Sequence, residues 1–332
     1  MSTATSAPGT APRLVHVAWD GPDAAVLRAA QQAELRERYG EDDIGHAMGA
    51  DTVVVMVLLR DGDHALACGA LRDATVDLGA GVAEIKRMYV RPSARGRGLS
   101  RTILAELERI AAERGFTRLV LETGILQPEA IGLYLSAGFL PVDNYAEYAG
   151  VVDSRCFGKD VTPAPVVRGV PGPAPVVTLV AADDPDAVAL RRALLAEVAA
   201  DDPADALAGA DAAALDAAAR ATDLGATFVA RVDGRAVGCV GVRRADAPWP
   251  REWAEVRRLH VTPDARRTGV ASHLLRAAED AARADGATHL LVDTRVRLAP
   301  AVALVTRAGY RPVRPAGDWA AHPTTLWFAR AL

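Results

Sequence analysis

Cysteine is scarce in this chain. Cys68, Cys156 and Cys239 are the three among 332 residues, and none sits in a CxxC pair. No disulfide framework is expected, and a reducing cytoplasm fits that usage best. HExxH and a Cys/His cluster are missing as well, so no metal is expected. Long apolar runs are missing too. Val53–Leu59 ends at Arg60, whereas a spanning helix takes about 20 apolar residues, so no membrane partner is expected. The start, MSTATSAPGTAPR, lacks the apolar core of a signal peptide and reads as a disordered lead over residues 1–12. Gly and Pro make 48 of 332 residues, too few for a fibrous or low-complexity chain. Charge of one sign does not dominate: residues 1–160 carry 17 Lys/Arg against 22 Asp/Glu, and residues 161–332 carry 21 against 20. Neither half is a basic nucleic-acid module.

What is present is an ordinary globular composition, 50% hydrophobic and 24% charged, at a length that suggests two domains. Sliding the chain by 171 residues exposes a repeat. Glu84 falls on Glu255, Arg87 on Arg258, Pro92 on Pro263, Gly98 on Gly269, Gly138 on Gly309 and Phe157 on Phe328. Residues 84–160 and 255–331 share 22 identities in 77 positions without a gap. The offset reaches back to Cys68/Cys239 and Arg72/Arg243. The boundary is VTPAPVVRGVPGPAP, residues 161–175, a proline-rich semi-extended linker. The expected organisation is a domain over 13–160, the linker, and a second domain over 176–332.

Each copy alternates strands and helices. In copy one, strands are expected at Leu14–Ala18, Val53–Leu59, Ala65–Leu71, Ala83–Val90, Leu119–Glu122 and Arg155–Lys159. Helices are expected at Asp23–Tyr39, Gly98–Arg114 and Pro128–Ser136. Asp61-Gly62-Asp63 reads as a hairpin turn, and Gly115 as a helix stop. Copy two repeats this from about Val176, with an Ala/Asp-rich helix at Asp201–Thr222.

The chemistry concentrates in Val90–Leu104, VRPSARGRGLSRTIL. A strand ends, a glycine turn follows and an amphipathic helix begins. Unpaired N–H groups and the positive end of the helix dipole then make an anion site suited to a pyrophosphate. Gly96 and Gly98 permit close backbone approach, and Arg95, Arg97 and Arg101 add charge. The Walker pattern GxxxxGK[ST] is absent, and the dinucleotide fingerprint fails because Arg101 stands where its third glycine belongs.

The run Arg95-Gly96-Arg97-Gly98-Leu99-Ser100 does fit [Q/R]-x-x-G-x-[G/A] apart from its final serine, and Arg266-Arg267-Thr268-Gly269-Val270-Ala271 fits fully. This resembles the acyl-CoA-binding motif of the GNAT acetyltransferase superfamily. Glu84 and Glu255 each stand eleven residues before the motif, where many members carry a base. LETGILQPEAIGLYLSAGF, residues 121–139, resembles the family's second signature, with Gln127 and Tyr134 at its Asn and Tyr positions. The resemblance spans about 65–160 and 236–331.

It implies an α/β (α+β) fold of two GNAT domains, each a mixed, mostly antiparallel sheet flanked by helices. It also implies acetyl transfer from acetyl-CoA to a primary amine of a small molecule. Glu84 is the first candidate base and Glu122 the second. Tyr134 is the candidate acid for the thiolate. Cofactor contacts are expected from Met88, Tyr89 and Val90, where the strand splays, from the loop residues above, and from Gln127. In copy two the corresponding residues are Leu259, His260, Val261, Arg266, Arg267, Thr268, Gly269, Val270 and Ala271.

The copies are unequal. Val305 replaces Tyr134 and Leu298 replaces Gln127, so catalysis is expected in copy one. His260 reads as a packed strand residue sooner than a proton donor. Glu41, Asp42 and Asp43, and also Tyr145, Glu147 and Tyr148, are candidates for the acceptor pocket. Cys68 and Cys239 read as buried fillers. Two other readings stay open: a protein lysine or N-terminus as acceptor, and a non-catalytic acyl-CoA-binding regulator. The chain is expected to be a monomer with an internal pseudo-dimer, or a homodimer.

Overall fold

The computed structural model describes residues 12–40, 48–161, 173–201, 207–220, 225–316 and 324–332. The acidic run Glu41–Asp43, the lead over residues 1–11 and most of the linker lie outside them. The chain divides into two compact units, Met1–Pro165 and Val166–Leu332.

Unit 1 runs β1 (Arg13–Val17), α1 (Pro22–Tyr39), β2 (Val53–Asp61), β3 (His64–Asp73), α2 (Thr75–Leu78), β4 (Val82–Val90), α3 (Leu99–Glu113), β5 (Arg118–Gly124), α4 (Pro128–Ser136), β6 (Leu140–Val142) and β7 (Ser154–Asp160). Unit 2 runs β8 (Val176–Val180), α5 (Pro185–Asp201), α6 (Ala212–Ala219), β9 (Ala226–Val232), β10 (Arg235–Arg244), β11 (Trp253–Val261), α7 (Val270–Ala284), β12 (His289–Arg295), α8 (Ala299–Arg307), β13 (Arg311–Val313) and β14 (Thr325–Ala331). Each unit forms a seven-stranded mixed sheet, ordered β1-β2-β3-β4-β5-β7-β6 and β13-β14-β12-β11-β10-β9-β8. Among the described residues only β4/β5 and β11/β12 pair parallel, because the α3 and α7 crossovers carry the chain back to the end of the sheet where the preceding strand began.

Strand alternation sets which face each helix covers. Met56, Leu58, Cys68 and Ala70 point to one face and bury Ala24 and Leu27 of α1. Gly69 points to the other, where a Cβ would stand 2.6 Å from Ile103 Cγ2 and 3.1 Å from Leu107 Cδ1 of α3. Leu99, Ile103, Leu104, Leu107 and Ile110 of α3 are all buried. Their burial stabilises the helix by roughly 10 kcal/mol gross, before chain entropy is subtracted.

Two local features prepare the site. β4 pairs with β5 only from Val82↔Arg118 to Ile85↔Leu121 and then runs on to Val90 paired with β3 alone, so the sheet opens along its middle. A bulge falls in the same strand. Cys68 pairs with Tyr89 but Ala70 with Lys86, and Arg87 takes φ +56°. The buried Cys68 thiol donates to the Arg87 carbonyl at 3.3 Å, so this cysteine supports the bulge besides filling space. Unit 2 repeats all of it: pairing stops at Glu255↔Leu291, Arg258 takes φ +56°, and Cys239 Sγ donates to Arg258 O at 3.5 Å.

Of the helix expected over Asp201–Thr222, residues 202–206 and 221–222 lie outside the described residues, and among residues 207–220 it is corrected to α6. Asp211 caps it, accepting from Ala214 N–H at 2.8 Å, and Gly209 upstream takes φ +72°. An N-cap aspartate and a left-handed glycine interrupt a run that alanine content alone would continue. The short elements α2 and β6 have no periodic signal and were not expected from sequence. Other strand ends extend by one or two residues because pairing partners, not propensity, set them.

Candidate active site

The loop from β4 to α3 is built as a cradle. Pro92–Ala94 forms a single 3-10 turn, and Gly96 and Gly98 take φ +76° and +77°. Left-handed backbone of this kind favours glycine. The first intrahelical bonds of α3 run from Arg101 and Thr102 N–H to Gly98 O. The N–H groups before them therefore open the helix, with the dipole behind them. Unit 2 has the same turn, with Arg267 at φ +65° where unit 1 has Gly96. A side chain there costs about 1–2 kcal/mol.

The opening of the sheet is continuous with this cradle. One cavity of about 500 Å³ runs from Ala94, Arg95, Gly96, Gly98, Leu99 and Ser100, along Met88, Tyr89 and Val90, to Glu122, Gln127 and Tyr134. The structure thus brings together most of the residues expected from sequence in copy one. Glu84, Arg97 and Arg101 do not line it. Glu147 and Tyr148 line it, whereas Tyr145 stands behind, donating its hydroxyl to Glu84 at 3.0 Å.

Glu84 lies wholly inside the wall. Its side chain is 0% exposed, pairs with Arg72 Nε at 2.7 Å, and stands 3.5 Å from Lys86 Nζ. Glu255 pairs with Arg243 at 2.6 Å in unit 2, where burial pushes its carboxyl above the usual range. Glu122 is different, because it faces the cavity and accepts from Ser154 Oγ at 2.7 Å. Tyr134 is buried against Phe139 and Phe157. Burial, and then the charge of Glu122, holds its hydroxyl above the usual phenol range. It therefore keeps its proton at neutral pH.

Several lining residues were missed by sequence reasoning. Gln31, Glu34, Arg38 and Tyr39 of α1 border the cavity. Gln31 Nε2 donates to Met88 O at 3.0 Å, and Tyr39 Oη accepts from Leu126 N–H at 3.0 Å. Arg95 bonds the Val90 carbonyl at 3.1 Å and pairs with Glu34. Arg266 does the same with Val261 O at 3.0 Å and Glu197 at 2.6 Å. The signal was a polar stripe at positions 31, 34 and 38, one helical face. Lys86 and Ser154 gave no signal. His260 is buried, and burial lowers its pKa, consistent with a packed residue. Among the described residues no group of His, Cys, Asp and Glu could hold a metal ion, and no helix is long and apolar enough to cross a membrane.

A strand that splays beside a glycine turn and a helix N-terminus, with a carboxylate and a phenol at the far end, is the arrangement of a candidate acyltransferase site. The chain belongs to the GNAT acetyltransferase family, which matches residues 19–139 and 193–310; it is a tandem protein of that family. Members use acetyl-CoA as acyl donor. It is 37% identical over 126 residues to a protein named IAA acetyltransferase from Azospirillum brasilense, covering 36% of this chain and 80% of that one. It is 38% identical over 72 residues to the uncharacterized N-acetyltransferase YjgM of Escherichia coli, covering 22% and 43%. Among solved structures, yncA of Salmonella typhimurium with its cofactor acetyl-CoA is 14% identical, with a TM-score of 0.37, covering 49% of this chain and 99% of that one.

Proposed function

We propose that unit 1 transfers an acetyl group from acetyl-CoA to a primary amine of a small molecule. The observation that carries this reading is the single cavity joining the α3 N-terminus to Glu122 and Tyr134. The two glycines at positive φ and the leading N–H groups of α3 suit a pyrophosphate. The backbone of Met88–Val90, unpaired toward β5, suits an amide-bearing arm. Acetyl-CoA supplies an activated thioester carbonyl. Glu122 takes the proton that the attacking amine must lose, and Ser154 holds that carboxylate in place. Tyr134 gives its proton to the departing sulfur. Glu84, first in line from sequence, acts in this reading by fixing the wall. α1 and the 147–154 segment line the acceptor end, and the choice of a small acceptor over a protein chain is part of this proposal.

Unit 2 retains the cradle, with Val305 and Leu298 at the Tyr134 and Gln127 positions. Valine gives no proton, so this unit binds acetyl-CoA without turnover. Calorimetric titration with acetyl-CoA tests both halves of the reading. Two sites per chain are expected, one lost on Gly98→Val and the other on Gly269→Val. Thiol release with a panel of amines should fall at least a hundredfold in Tyr134→Phe and Glu122→Gln. Absence of acetyl-CoA binding would overturn the proposal, and turnover that survives both substitutions would overturn the assigned roles.

A further inference from the structure

The acceptor end of the cavity is not uniformly acidic. Lys86 lines it together with Tyr148, on the wall formed by β4 and the 145–148 turn. The Lys86 ammonium donates to the Tyr148 hydroxyl and stands 4.9 Å from the centre of its ring. Its side chain is only 11% exposed, so its charge needs a partner. Among the described residues Glu84 is the carboxylate that pairs with it, but Glu84 is engaged by Arg72 at 2.7 Å and Tyr145 at 3.0 Å, and lies 3.5 Å from Lys86. One buried carboxylate thus serves two cations. The second anion on Arg72, Asp77, is at the surface. Glu147 and Asp153 also line the cavity, but Glu147 is half-buried and Asp153 exposed, so water reaches both.

The ammonium is also held still. Tyr145 packs edge-on against Tyr148 at 5.6 Å and anchors Glu84, so the pair Lys86–Tyr148 is fixed from behind. Elsewhere in the same cavity stands Glu122 with Ser154. A cation with a hydroxyl and a carboxylate with a hydroxyl, in one cavity, match a ligand that carries both signs.

We propose that the acceptor is an amino carboxylate, its carboxylate on Lys86 Nζ and Tyr148 Oη and its amine turned toward Glu122. This rests on the acetyl-transfer reading above. A charge-assisted contact of that kind is stronger than a neutral one, and an amine without the carboxylate leaves Lys86 buried and under-partnered.

The test is thiol release from acetyl-CoA by the full chain. Acceptors are the L-α-amino acids and straight ω-amino acids, each beside its carboxamide and its decarboxylated amine. The best amino carboxylate should exceed both partners at least tenfold in kcat/KM. Lys86→Met should bring that ratio to within threefold of unity, mainly through KM, and Lys86→Arg should preserve most of it. Tyr148→Phe should lower the ratio partway and serves if Lys86→Met does not fold. A decarboxylated amine or an amidated peptide that reacts as well as the amino carboxylate overturns this inference and leaves acetyl transfer standing. So does a ratio unchanged in Lys86→Met. No thiol release with any amine overturns both readings.

Discussion

Replacing Arg72 by methionine isolates what Glu84 does. Met has nearly the length of the aliphatic stem, so packing is largely kept while the guanidinium goes. Glu84 then remains 0% exposed, with the Tyr145 hydroxyl at 3.0 Å and the Lys86 ammonium at 3.5 Å. Removing one partner of a buried pair costs about 3–5 kcal/mol. Lys86 persists as a distant partner, so the lower end applies, about 3 kcal/mol. That corresponds to a roughly hundredfold rise in the open population. Hydrogen exchange read on β3 and β4 peptides separates unit 1 from unit 2, whose Arg243–Glu255 pair is an internal reference. The double variant Arg72→Met/Glu84→Leu should regain most of the loss, since apolar replacement of both partners is often neutral or better. A loss below about 1 kcal/mol, or no recovery in the double variant, would refute the view that Glu84 is held chiefly by this pair.

Further outcomes follow from other contacts. Gly69→Val should destabilise unit 1 by about 1–3 kcal/mol in urea unfolding, because its Cβ would meet both Ile103 and the Met88 sulfur at 2.6 Å; an unchanged midpoint contradicts the packing described. Glu34→Gln should tighten acetyl-CoA binding up to about fivefold, the worth of an exposed ion pair, since Arg95 is freed for phosphate; weaker binding by calorimetry would make Glu34 a support instead. Glu106 is held down to about 2 by Arg109 and His16. Its folded pKa lies below its ordinary 4.5, so its contribution is present above that pH and lost as pH falls toward 2. Glu106→Gln should flatten the stability slope in that window, and an unchanged slope would sink the assignment.

Much of the site was legible because it depends on local backbone chemistry. Gly96 and Gly98 announce left-handed positions, Pro92 ends β4, and the stripe from Leu99 to Ile110 announces the helix whose N-terminus forms the cradle. The repeat announced itself wherever its two copies kept one spacing, as at Arg72/Glu84 and Arg243/Glu255. Glu34 and Glu197 escaped that comparison, since they are 163 residues apart and not 171. Their shared role on Arg95 and Arg266 shows only in space.

The sequence by itself determined the tandem plan, the strand–turn–helix cradle and the loss of the tyrosine in the second copy. These follow from residue type and short spacing. Tertiary structure decided which carboxylate meets the cavity. Glu84 and Glu122 both lie on neighbouring central strands, and alternation alone does not separate them. Arg72, Tyr145 and Lys86, brought from β3, the 145–148 turn and β4, close over Glu84. Glu122 sits beyond Ile85↔Leu121, where β4 and β5 have parted and the cavity enters. Burial and partnership are properties of the assembled sheet, so no spacing rule in the chain could assign them.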